Sequence, residues 1–229
     1  MTEFALAILV FIAAHVLPVR TGLRAWGIER IGRTAYVCAY SILSLALVVW
    51  VLAAYGRAPY LPLWPPAPWQ ALVPLLLMPL ALALFAVGAA IANPLSVSFR
   101  KALPGSGLHP FYRLVRHPVL WGFGLWALAH LAPNGDLASL ILFGGFALFA
   151  FAGMSVFDRR KRRQFGHQEW QALAGGDAAW RALPFSRRIA MAADRPVMPG
   201  IAAGLIVYAL LLAGGHEHAF GVDPLVALT

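Results

Sequence analysis

Six apolar segments limit what this chain can fold into. They run Phe4–Val19, Thr34–Tyr55, Trp69–Ala92, Val119–Leu131, Leu137–Phe157 and Val197–Ala213. A helix needs about 20 apolar residues to cross a bilayer, with roughly 17 as a lower limit. The fourth segment falls short, so it must begin inside the headgroup region or be shielded by its neighbours. No segment alternates with period two, which excludes a membrane β-barrel. The chain of 229 residues is 61% hydrophobic and 12% charged, with a mean hydropathy of +0.73. A soluble domain is nearer half apolar and a quarter charged. The expected fold is therefore all-α: a polytopic membrane helix bundle of six transmembrane helices, built as one domain over residues 1–229. Phe4–Val19 follows Glu3 rather than a basic stretch and ends in HVLPVR rather than small residues, so it is expected to be a retained span and not a signal peptide.

The charges of the connecting segments give an orientation. Of 18 lysines and arginines, 17 lie in the first, third and fifth connections, and Arg57 alone lies in the second. The fourth connection and the C-terminal tail carry Asp136, Glu217 and Asp223 instead. Basic residues mark cytoplasmic loops, which puts both termini on the non-cytoplasmic side. The net charge of +9 is thus an orientation signal and a complement to anionic lipid, and no nucleic-acid partner is expected. One cysteine, Cys38, excludes an internal disulfide and any cysteine-cluster metal site within the chain.

Local chemistry fills in the connections. Tyr60, Trp64 and Trp69 in the Pro-rich second connection suit an interfacial aromatic belt. The run DRRKRRQFGHQEW should leave the fifth span as a basic interfacial helix with Phe165 and Trp170 towards lipid. Gly175–Gly176 should end that helix, with Asp177 capping the next. Asn134–Asp136 has turn chemistry, and His109 before Pro110 is expected to be structural. Gly144, Gly145 and Gly153 on the fifth span suit close helix packing. His216 and His218 lie beyond the last apolar segment and lack a third metal ligand.

Two histidines stand out because ionisable groups at membrane depth are costly and so mark candidate sites. His15 lies in the first span. His130 lies in the fourth, where Gly122, Trp126 and His130 recur every four residues and share a face. Gly122 allows close approach, Trp126 offers a flat wall and His130 an imidazole, a set that suits a planar macrocycle ligated by histidine. At 1.5 Å per residue, each histidine lies about 16 Å from the far end of its segment, near mid-membrane if those ends mark the boundaries. Histidines that only hydrogen-bond between helices are the alternative. His117 and Arg116 sit at the entrance to the fourth helix, where Arg116 suits a phosphate or carboxylate headgroup or substrate.

The segment from Arg116 to Arg163, RHPVLWGFGLWALAHLAPNGD through FDRRKRR, resembles the NnrU family of bacterial membrane proteins, as does HVLPVRTGLRAWGIERIGRTAY near the start. The resemblance runs from about Ile8 to Pro184. It implies a multi-pass protein of the bacterial inner membrane, linked to nitrite and nitric oxide metabolism in denitrifiers. The family is related to the plant 15-cis-zeta-carotene isomerases, membrane enzymes with b-type haem. Their axial histidines correspond to His15, ahead of Leu23–Arg24 and Ile31–Gly32, and to His130 in Trp126-Ala127-Leu128-Ala129-His130. The resemblance thus implies haem b held by His15 and His130, with either a nitrogen-oxide ligand or an apolar polyene as the partner molecule. Ala127 stands where the plant relatives have a cysteine, so thiol-linked ligand switching is not implied.

RHPVLWG followed by Asp158 and QFGHQEW also resembles membrane isoprenylcysteine methyltransferases, which would make His117 an S-adenosylmethionine contact and Arg116 a substrate contact. A third possibility is a non-catalytic assembly factor for a respiratory complex, in which the histidines only pack the bundle.

Overall fold

The computed structural model describes residues 1–101, 107–176 and 178–226. Eleven helices follow in chain order: α1 (Thr2–Arg20), α2 (Leu23–Ile31), α3 (Arg33–Gly56), α4 (Trp69–Ala90), α5 (Pro110–Leu114), α6 (Pro118–Leu131), α7 (Leu137–Phe165), α8 (His167–Gly175), α9 (Ala178–Ala182), α10 (Phe185–Ala192) and α11 (Val197–Phe220). Among the described residues the one β contact is an isolated bridge between Pro62 and Asp136. All six apolar segments are helical. Four of the helices (α3, α4, α7 and α11) are long and apolar enough to cross a membrane. The first segment is bent by 72° into α2, which makes it either a broken span or a re-entrant loop, and α6 is short at 14 residues. Gly22, at φ 77°, adopts the left-handed backbone that this break requires.

The helices turn large apolar side chains outward. Leu9, Ile42, Leu45, Leu76 and Leu148 are each more than three-fifths exposed. Exposed apolar side chains of this size are what a lipid environment covers. Tyr60 and Trp69 are likewise exposed, as interfacial aromatics should be.

Contacts divide the chain into two units. The smaller holds Met1–Trp64 and Asp136–Leu142. Within it α1 packs on α3, with Phe4 buried near Tyr55. Asp136 caps the start of α7 by accepting from Ser139 N at 3.1 Å. Ser139 Oγ donates to Asp136 at 2.5 Å, so Tyr55 OH donates in turn to Ser139 Oγ, 2.7 Å away. The expected turn at Asn134–Asp136 is therefore also a helix start.

The larger unit holds Pro65–Gly135 and Phe143–Thr229, and α4 is its centre, packed against both α6 and α11. Glycines allow the approach. A Cβ on Gly122 of α6 would lie 2.6 Å from Ala81 O, and one on Gly204 of α11 would lie 2.6 Å from the Ala83 backbone. The close-packing glycines are thus on α4, α6 and α11; Gly145 of α7 meets nothing within 4 Å and Gly153 touches Leu120 at an ordinary 3.7 Å. α4 also contains Pro74 and Pro79. Pro79 has no N–H for the carbonyl four residues earlier, Leu75 O, and Tyr208 OH of α11 donates to that oxygen at 2.7 Å.

One end of this unit is closed by an apolar cluster of Val87, Ile91, Leu95, Tyr112, Trp170 and Val197, against which Phe165 packs. Here the outcome differs from the sequence expectation. The basic run Asp158–Phe165 does continue as helix, but Phe165 and Trp170 turn towards the protein, and Trp170 is only 8% exposed. The reason is that α5 and the start of α11 supply an apolar surface that competes with lipid for those rings. Gly176 follows α8 as expected; Asp177 lies outside the described residues.

Candidate functional site

His15 and His130 share a local geometry set by their own helices. The His15 ring donates through Nδ1 to Phe11 O at 2.7 Å, and the His130 ring donates through Nδ1 to Trp126 O at 2.8 Å. Each acceptor is the carbonyl four residues back, directly below on the same face. In the neutral ring the proton is then on Nδ1 and the lone pair on Nε2. Metal-bound imidazoles are commonly oriented in this way, through the ring nitrogen that does not bind the metal.

Their surroundings differ. In the smaller unit, His15 lies tilted against Phe11 (4.3 Å between centroids) and edge-on to Tyr40 (5.6 Å), and Ser44 Oγ is 3.5 Å from Nε2. In the larger unit, His130 sits among Trp126 (5.2 Å), Phe143 (5.5 Å) and His216 (6.3 Å). Asn134 Nδ2 donates to His130 O at 2.6 Å and closes the end of α6. His130 also lines a cavity of about 50 Å³ with Met78, Tyr208 and His216. That volume takes a molecule of a few atoms, and a macrocycle ligated at His130 would occupy space beyond it.

His216 is the residue that the sequence did not single out. It stands beyond the last apolar segment, yet a wide turn at Leu211–Gly215, with Gly214 at φ 103°, carries the helix on and brings the ring beside His130. His216 Nδ1 donates to Val222 O at 2.7 Å. Among the described residues no three His, Cys, Asp or Glu side chains gather into a metal cage.

The other two members of the expected macrocycle face have identified neighbours. Gly122 is pressed against the backbone of α4, so the close approach made there is by a helix. Trp126 stacks on Phe123 at 5.4 Å and meets Phe143 at 5.5 Å, forming an aromatic wall next to His130.

At the entrance to α6 the structure brings Arg116 and His117 into one network. Arg116 donates to Asp158 Oδ2 at 2.6 Å, and His117 Nε2 contacts Asp158 Oδ1 at 3.1 Å. His117 Nδ1 is 2.7 Å from Ser96 Oγ. Asn93 Nδ2 donates to Arg116 O at 2.8 Å and Asn93 Oδ1 accepts from Leu95 N, which fixes the strand of chain beneath. Burial pushes His117 below the ordinary histidine range, and the neighbouring Arg116 charge adds to this while Asp158 opposes it. The ring is therefore neutral, with Nε2–H donating to Asp158 and Nδ1 accepting from Ser96. Both nitrogens of His117 are engaged, whereas Arg116 Nε is buried without an acceptor. His109, expected to be structural, accepts from Phe111 N through Nδ1 and meets Asp194 at 3.0 Å through Nε2.

The sequence matches the family described as NnrU protein over residues 3–224, nearly the whole chain and both contact units. The chain belongs to the NnrU family. Comparison with curated proteins and with solved structures gives no match. As an NnrU protein with an all-helical structure and several membrane-length helices, it is a multi-pass membrane protein.

Proposed function

We propose that this NnrU protein is an inner-membrane b-haem protein in which the imidazoles of His15 and His130 would hold the haem. Its task is redox-linked, either with a nitrogen-oxide ligand or in isomerising an apolar polyene that enters from the bilayer. The observation that carries this proposal is the matched hold on the two rings, each tied through Nδ1 to its own helix. Both use Nδ1 on their own turn; Nε2 of His15 has a long 3.5 Å contact with Ser44 Oγ of α3. Haem, when bound, supplies one-electron exchange at a potential set by its axial ligands and burial.

The chain's own residues have separate tasks. Phe11 O and Trp126 O hold the rings in position, and Trp126, Phe143 and the apolar helix faces exclude water. Ser44 must give up its contact with His15 when Nε2 is ligated. Six spans with both termini on the non-cytoplasmic side remain the topology we favour, because the basic residues collect in alternate connections.

The test is haem content per polypeptide after purification with haem supplied in excess. The wild type should retain haem near one per chain, and His15→Ala and His130→Ala should each lose most of it. His216→Ala is the informative companion, because His216 is the described histidine nearest His130 in the same unit. Unchanged haem in His216→Ala supports the assigned pair. Loss in His216→Ala with retention in His15→Ala would move the second ligand to His216.

A further inference from the structure

A second site lies away from the two histidines, at the basic end of the larger unit. A cavity of about 540 Å³ is lined by Arg116, Gln168, Trp170, Gln171, Gly176 and Arg181, among others. That volume falls in the range of small-molecule sites, about 300–1,000 Å³. Two arginines, Arg116 and Arg181, line it. The guanidinium of Arg116 lies over the Trp170 ring at 4.9 Å, that of Arg162 at 4.4 Å, and that of Arg113 lies over Trp180 at 5.3 Å. Among the described residues, the ion pair that answers these arginines is Arg116–Asp158.

Buried donors lack acceptors in the same place. Arg113 Nε, Arg116 Nε and Trp170 Nε1 are buried with no hydrogen-bond partner, and Arg116 and Trp170 both line the cavity. Buried N–H groups left unpaired are costly, but these three atoms have almost no accessible surface, so a ligand in the cavity would meet other atoms of the lining. Asp158 fixes Arg116 from one side, so the guanidinium is in place before any ligand arrives.

We infer that this cavity binds a phosphate-bearing group. A phosphate offers several strong acceptor oxygens and suits arginine forks better than a single-point anion does. The space greatly exceeds a bare phosphate, and Gln168 and Gln171 offer polar contacts to an attached body of glycerol size. The source is a soluble phosphate ester or the headgroup of an anionic phospholipid; the chemistry recognised is the same. This inference does not depend on the haem proposal.

The test uses the full chain in detergent, with sn-glycerol 1-phosphate as soluble probe and vesicles of phosphatidylcholine with or without phosphatidylglycerol as lipid probe. Arg181→Gln removes a lining charge; Arg187→Gln, on α10 and outside the lining, controls for net charge. A thermal midpoint raised by glycerol phosphate, with binding weakened roughly tenfold in Arg181→Gln and kept in Arg187→Gln, establishes a soluble ligand. Preferential retention of phosphatidylglycerol, lost in Arg181→Gln and kept in Arg187→Gln, establishes a headgroup. Binding of neither probe, or equal weakening by Arg187→Gln, overturns the inference.

Discussion

The densest polar chemistry surrounds Asp158, whose two oxygens hold Arg116 and His117 at once. Asp158→Asn leaves the Arg116 charge partly buried and unanswered. Because the pair is about a quarter exposed, the expected cost is roughly 1–3 kcal/mol rather than the larger figure for a fully buried pair, read as a lower thermal midpoint in detergent. His117 adds a pH dependence. Its folded-state pKa lies below the ordinary 6.5, so the unfolded chain takes up the proton first as pH falls. Stability is then level above about pH 7 and declines as pH drops through 6.5. His117→Asn should flatten that part of the profile between about pH 7 and 5; an unchanged slope would assign it to another group. Sequence alone picked out Arg116, His117 and His130 because cost and position mark them. It did not pick out His216, which stands past the apolar segment, or the pairing of Asp158, which depends on a contact 42 residues distant in sequence.

Among the helices, α4 shows how irregular backbone is accommodated in an apolar setting. Pro79 removes the partner of Leu75 O, and Tyr208 restores it from α11. Tyr208→Phe should cost about 1–2 kcal/mol, and much less in a Pro79→Ala background, where an amide N–H again reaches Leu75 O. Equal costs in both backgrounds would contradict the pairing. Gly204→Ala should destabilise by about 1–3 kcal/mol, since its Cβ would strike the Ala83 backbone, whereas Gly145→Ala should be neutral or stabilising by up to about 1 kcal/mol. All six helical segments were legible as apolar runs, and four of them are long and apolar enough to cross a membrane. Which glycines pack was not legible, since a small residue on any helix satisfies the same pattern. The misplacement of Phe165 and Trp170 has a similar cause: an aromatic ring beside a basic run suits lipid or a protein core equally, and only the tertiary surface chooses between them.

For the protein as a membrane entity, the alternation of basic and acidic connections predicts that alkaline phosphatase fused after Val226 is active, and that a fusion within Arg159–Arg163 is inactive. The reverse pattern, or activity in both, would contradict the proposed orientation. The central claim is that two imidazoles ligate a b-type haem, and the visible spectrum of the purified protein, oxidised and dithionite-reduced, tests it most directly. The account predicts a low-spin spectrum with a sharp reduced α-band that collapses or turns high-spin in His15→Ala and in His130→Ala. A colourless wild type, produced with haem in excess, would contradict it and leave the two histidines as packing residues of the helices that carry them.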